Sequence, residues 1–132
     1  MSLDETVWDE IPPLKQAFYQ KKHLLEKALE RGRELHTIED IEEVLDQGRA
    51  QFFDGEHSCM VVELLERNGT KYAHIWLAGG DLEELLDMEE YVCCWAKSLG
   101  CSFVSVDGRT GWERPLRHKN YTKVRVLLRK EL

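Results

Sequence analysis

Between Tyr72 and Asp107 the chain reads YAHIWLAGG, DLEELLDMEEYVCCWAKSLG and CSFVSVD. An apolar run ends at a glycine pair, an amphipathic segment begins at once, and a second β-rich run follows Gly100. Strand, helix and strand in that order form a crossover, in which the two strands lie parallel and the helix covers one face of the sheet. The rest of the chain must then extend that sheet and cover its other face.

The upstream residues can do both. Cys59–Glu66 and Lys71–Leu77 flank Arg67-Asn68-Gly69-Thr70, and Asn-Gly between apolar runs predicts an antiparallel hairpin. A short strand at Gln51–Phe53, closed by the turn pair Asp54-Gly55, precedes it. Further back the period is helical. Leu14, Ala17, Phe18, Leu24, Leu25, Ala28 and Leu29 fall on one stripe between Pro13 and Gly32, which predicts a helix over about 13–31. Its many charges place it on the domain surface or against a partner. Thr37-Ile38-Glu39-Asp40 reads as a capping box opening a second helix, with Ile38, Ile41, Val44 and Leu45 inward.

In the crossover helix Leu82, Leu85, Leu86, Val92, Cys93, Ala96 and Leu99 form the apolar face. After Asp107 comes a glycine-bearing loop, then one or two helical turns around Trp112–Arg117. The ending TKVRVLLRKEL predicts a last strand, in which Val124, Val126 and Leu128 alternate with Lys123, Arg125 and Arg129. The fold class is therefore α/β, in the α+β sense: two N-terminal helices, a mixed sheet with hairpin strands, then a βαβ unit. Residues 1–36 read as an N-terminal helical extension and 37–132 as a single domain.

Charge bounds the partners. Residues 1–100 carry 10 Lys or Arg against 22 Asp or Glu, and residues 101–132 carry 8 against 3, within a chain of net charge −7. An acidic body argues against general nucleic-acid binding, while the basic end leaves room for an anionic ligand. No stretch is apolar for long enough to span a membrane. Cys59, Cys93 and Cys101 lie in apolar runs, and no Cys or His shows zinc-ligand spacing. They read as small hydrophobes in a reducing, cytoplasmic setting. The acids of the capping-box helix read as a solvated face, so no metal is expected.

The element order resembles the acyl-CoA N-acyltransferase superfamily (GNAT) from about Thr37 to Leu132, carried by the hairpin, the βαβ unit and the ending WERPLRHKNYTKVRVLLRK. GRTGWERPL also resembles small proteins of tailed phages and prophages, which implies a virion-associated location for a phage-encoded chain. The superfamily resemblance implies acetyl-CoA or CoA as cofactor, its pyrophosphate held where a strand runs into the crossover helix. Here that place is Ala78-Gly79-Gly80, so these are the cofactor-binding candidates.

The family's Arg/Gln-bearing glycine loop is missing there. Asp81, Glu83, Glu84, Asp87, Glu89 and Glu90 follow without one basic residue between them, and these acids suit a bare helix start while repelling phosphate. The family's tyrosine acid falls on Leu116 if Tyr121 opens the next strand, and a leucine donates no proton. Tyr121 and Glu63 are then the catalytic candidates, with His74 and Asp107 as further bases. Arg109, Trp112 and Arg114, in the loop and short helix after a parallel strand, are the ligand or partner candidates. The expectation is a non-catalytic or divergent member with a binding or assembly role and a protein partner or second copy. Without those motifs no bound cofactor is expected. The alternative is a divergent acyl-CoA-dependent N-acyltransferase.

Overall fold

The computed structural model describes residues 12–32, 35–107 and 110–132. Among these residues, four helices and four strands follow in the order α1 (Pro13–Arg31), α2 (Ile38–Asp46), β1 (Ala50–Asp54), β2 (Cys59–Arg67), β3 (Thr70–Gly79), α3 (Leu82–Ser98), β4 (Phe103–Val106) and α4 (Thr110–Arg117). The strands form one sheet in sequence order, with β1, β2 and β3 antiparallel and β4 parallel to β3. That is the expected mixed sheet with its hairpin and crossover.

Local chemistry sets the boundaries. Asn68 and Gly69 take φ of 52° and 80°, the pair of positive values that a two-residue type I′ hairpin requires. At the start of α2, Asp40 N–H donates to the Thr37 hydroxyl at 3.3 Å and Thr37 N–H donates to the Asp40 carboxylate at 2.9 Å, completing the capping box. Asp81 caps α3 by accepting from Glu84 N–H at 3.1 Å.

A core lies on each face of the sheet. On one, Phe18, Leu25 and Leu29 of α1 and Ile41 of α2 pack on Phe52, Cys59, Val61 and Leu77. On the other, Leu85, Val92 and Ala96 of α3 pack on Met60, Val62, Ala73 and Ile75. Helix α1 therefore covers this face of the sheet: Leu25 is fully buried and Phe18 meets Phe52 edge-on at 5.8 Å.

Two expectations are corrected. The segment 122–132 forms no strand, and Val124, Val126 and Leu128 are 85%, 65% and 86% exposed. Alternation describes how a segment would sit on a sheet, but pairing needs an edge to accept it, and β4 offers only four residues. Instead Lys123 pairs with Glu113 at 3.3 Å. The inward face of α3 also differs. Leu82 and Leu99 are exposed and Cys93 is half-buried, while Glu89 joins the buried stripe. Cys101 is half-buried too, leaving Cys59 as the one fully buried thiol among the described residues.

If α1 is core rather than decoration, Leu25→Ala should lower the unfolding free energy by about 2–5 kcal/mol in a urea titration. A loss within the usual surface range of about 0.5 kcal/mol would contradict this packing.

Candidate functional site

Strand β4 stops short of its partner. It pairs with β3 from Tyr72↔Phe103 to Ile75↔Val106, and β3 then runs on through Trp76, Leu77, Ala78 and Gly79 without it. On its other side β3 remains paired with β2 to Cys59↔Gly79, across an irregularity between Val61 and Val62 that leaves Trp76 as the extra residue. The bulge changes the parity of the strand, so that Trp76 and Leu77 both pack on the α1 side. Strand β3 thus outruns β4 and leaves a wedge at the kind of place where open α/β sheets hold ligands.

A cavity of about 900 Å³ occupies this wedge. Trp76–Gly80 line it from β3, Glu63 from β2, Asp107 from the end of β4, Leu85 and Glu89 from α3, and Trp112 and Leu116 from α4. Helix α1 and the tail residues Leu127 and Arg129 complete it.

The sheet register assembles the chemistry of its floor. Ala50, Glu63, His74 and Ser105 are successive partners across all four strands, so their side chains share one face. It is the α1 face, since Val62, Ala73 and Val104 beside them join the core against α3. His74 Nδ1 lies 2.8 Å from the Ser105 hydroxyl. Burial lowers the His74 pKa below the ordinary histidine value, Glu63 and Asp107 pull it back up, and Arg125 opposes them. Three residues that the sequence offered as separate bases, Glu63, His74 and Asp107, therefore form one cluster. Ser105 was missed because only the register reveals it.

The glycine pair is placed at the cavity but has structural work there. A Cβ on Gly79 would come within 2.8 Å of the Leu24 carbonyl oxygen of α1. Gly80 has φ of +124°, and a Cβ on it would lie 2.4 Å from the Ser58 hydroxyl. The start of α3 is also engaged internally. Asp81 N–H donates to Ser58 Oγ at 2.8 Å, and the Glu84 carboxylate accepts from Glu56 N–H at 2.8 Å and His57 N–H at 2.9 Å. The Ser58 hydroxyl and these N–H groups hold the Glu84 carboxyl below the usual range. A carboxylate of the chain itself thus sits against the loop that faces this helix end.

Tyr121 is committed elsewhere. Its hydroxyl donates to the buried Glu89 carboxylate at 2.7 Å, Cys93 donates to the same oxygen at 3.0 Å, and Lys119 reaches the other oxygen at 3.3 Å. Burial, then the Glu89 bond, raise the Tyr121 pKa well above the tyrosine range. Burial likewise pushes the Cys93 thiol up to about 11. Of the ligand candidates, Trp112 lines the cavity, Arg114 is exposed on α4, and Arg109 lies outside the described residues. Half of the basic end is paired: Arg117 and Lys123 meet Glu113, Lys119 meets Glu89 and Glu90, and Arg129 meets Glu131. Among the described residues, no group of three His, Cys, Asp or Glu side chains is placed to hold a metal ion, and no helix is long and apolar enough to cross a membrane.

Solved structures share this fold. The chain is similar to an aminoglycoside acetyltransferase from an uncultured soil metagenomic sample, in complex with sisomicin, at 14% identity and TM-score 0.63 over 91% of this chain and 90% of that one. It is similar to the ribosomal-protein-alanine N-acetyltransferase of Brucella melitensis biovar Abortus 2308, at 11% identity and TM-score 0.62 over 89% and 95%. Glucosamine-6-phosphate N-acetyltransferase of Arabidopsis thaliana aligns at 18% identity and TM-score 0.57 over 86% and 92%. No family model matches the chain, and no curated protein matches it. The likeness is one of fold, and the fold is GNAT-like.

The His74 cluster has a direct readout. By NMR titration His74 should titrate below about 6.5, its neutral form being favoured by burial. Its contribution to stability is then complete above about pH 6.5 and is lost as pH falls toward the depressed value. Glu63→Gln should lower the His74 pKa further, because it removes a charge that favours imidazolium. An unchanged value would show that the two side chains do not interact.

Proposed function

We propose that the chain is a divergent acyl-CoA-dependent N-acyltransferase, with its reaction centre where β3 outruns β4. The observation that carries this reading is the open wedge beside the Glu63, His74 and Asp107 cluster. Four residues of β3 lack a β4 partner there, so backbone groups are available to orient an extended acyl arm and to stabilise an oxyanion. The wedge fits such an arm. The α3 terminus does not fit the diphosphate, because Gly79 and Gly80 are closed by Leu24 and Ser58 and the first turn is acidic.

Acyl-CoA supplies the acyl group as a thioester: a C–N bond forms, a C–S bond breaks, and an amide and the free thiol result. The chain's part is to take the proton of the attacking amine. With Nδ1–H donating to Ser105, the Nε2 lone pair of His74 is left to accept it. Burial keeps the imidazole neutral, and so competent as a base, at pH 7. Glu63 and Asp107 stabilise the imidazolium that forms. Tyr121, bonded to Glu89, anchors the end of α4 to α3.

The second reading is a non-catalytic binding or assembly role, including one in a phage or prophage. It is favoured by the self-engaged α3 start, which leaves the family's phosphate position without a cradle.

CoA and acetyl-CoA separate the two. On the first reading, millimolar CoA raises the melting temperature and gives a measurable calorimetric isotherm, since a ligand of the native state stabilises it. Thiol release from acetyl-CoA with a panel of primary amines then falls about 10²-fold or more in His74→Gln while CoA affinity stays. Absence of any shift with CoA would remove the enzyme and leave the binding role. Tyr121→Phe should cost about 1–3 kcal/mol of stability, from the partner lost by buried Glu89, with thiol release per folded molecule preserved. A selective loss of release would instead return Tyr121 to the chemistry.

A further inference from the structure

Apart from Glu89, which is bonded to Tyr121 and Lys119, the charges of the cavity are sorted by side. Acids, Glu63 and Asp107, stand on the sheet around His74. Cations, Lys27 and Arg31 of α1 and Arg49 before β1, stand along the helical side of the same cavity, joined by Arg129 of the tail. Lys27 and Arg31 are one helical turn apart and so share a face. That face looks over the β3 end: the Leu24 carbonyl lies against Gly79, and Lys27 and Arg31 follow at about 4.5 and 10 Å further along the axis.

Among the described residues, Lys27, Arg31 and Arg49 have no carboxylate within ion-pair distance, and the bond given for Arg49 goes to the neutral amide of Gln47. Other cations on the same helix are used. Lys15 meets Asp46 at 2.9 Å and Lys21 meets Asp54. In a chain of net charge −7, whose first hundred residues hold only ten Lys or Arg, three of those ten converge on one cavity without a counter-ion among the described residues. A concentration of cations against the overall sign of the chain creates a local well for an anion.

We infer that this cavity takes a small zwitterionic acceptor, an amine that also carries a carboxylate or a phosphate. Its anionic end lies against Lys27, Arg31 and Arg49, and its amine points to Glu63, His74 and Asp107. The acids attract the ammonium form, and His74 removes its proton. The cations set the orientation: a polyamine or other purely cationic amine is repelled along the helical side, whatever the acids offer. The amine's role as acyl acceptor rests on the acyl-transfer reading, whereas the binding of a zwitterion does not.

Calorimetry on the full chain tests this, first with CoA alone and then with 2-aminoethyl phosphate, β-alanine and spermidine on protein with and without CoA. The expected result is binding of 2-aminoethyl phosphate or β-alanine in preference to spermidine, the better of the two telling phosphate from carboxylate. The exposed double variant Lys27→Glu with Arg31→Glu should weaken that binding at least tenfold and leave CoA affinity within twofold. Lys27→Gln with Arg31→Gln, which introduces no new charge, should give an intermediate loss. Binding of neither zwitterion, preference for spermidine, or a loss of CoA affinity equal to the loss of zwitterion affinity would each overturn the inference. The last would assign these cations to the phosphates of CoA. Failure of CoA to bind while a zwitterion binds would sink only the acyl-transfer reading.

Discussion

The site depends on a difference in strand length. Strand β3 has ten residues and β4 has four, and they are parallel, so hydrogen bonding between them must stop while β3 continues. A parallel sheet that ends unevenly leaves polar backbone facing a gap, and burying that gap without a partner would be costly. The surrounding elements respect this. Leu85 and Leu116 bring apolar walls and Trp112 brings an amphipathic one, but none closes the wedge, which keeps a volume of about 900 Å³. The bulge at Trp76 adds to the effect by turning two successive β3 side chains toward α1 and rotating the backbone beyond Ile75.

The second constraint is the buried carboxylate of Glu89. A charge at this depth is tolerated only with its oxygens satisfied, and here Tyr121, Cys93 and Lys119 provide the bonds. The consequence is mechanical. The Tyr121 and Lys119 bonds fasten the segment after α4 onto α3, the Cys93 bond staying within α3, and α4 in turn holds Trp112 and Leu116 at the cavity wall. A residue whose charge would assign it to solvent, although its spacing places it on the buried stripe of α3, is thus what positions one side of the site.

How much of this could be read from residues alone depends on the range of the interaction. The Asn68-Gly69 hairpin and the Thr37 capping box are decided within four residues, and both stand as expected. The helices and four strands follow from periods of similarly short range. Glu89 was illegible because Lys119 and Tyr121, the partners that bring it a charge and a hydroxyl, lie 30 and 32 residues away, where no local pattern points to them. The row from Glu63 to Ser105 was illegible for the same reason, since it exists only once three strand registers are fixed. The last segment failed in the opposite direction. Its alternation was real, but a strand is a property of two partners, and Val124 and Val126 have none among the described residues.

The same reasoning sharpens the start of α3. The acids after Gly80 were read as opposing a phosphate through charge alone, and the geometry adds a stronger reason. Glu84 accepts from two N–H groups of the 56–57 turn, Ser58 takes the Asp81 N–H and Asp81 takes the Glu84 N–H, so four donors around this helix end are already used. An anion there would also meet a carboxylate whose own bonds hold its pKa down. Across the cavity the balance is reversed, because Lys27, Arg31 and Arg49 are charged, accessible and without acidic partners among the described residues. Negative charge therefore has its natural place on the helical side of the wedge, and the glycine pair that drew attention first is explained by close packing against Leu24 and Ser58.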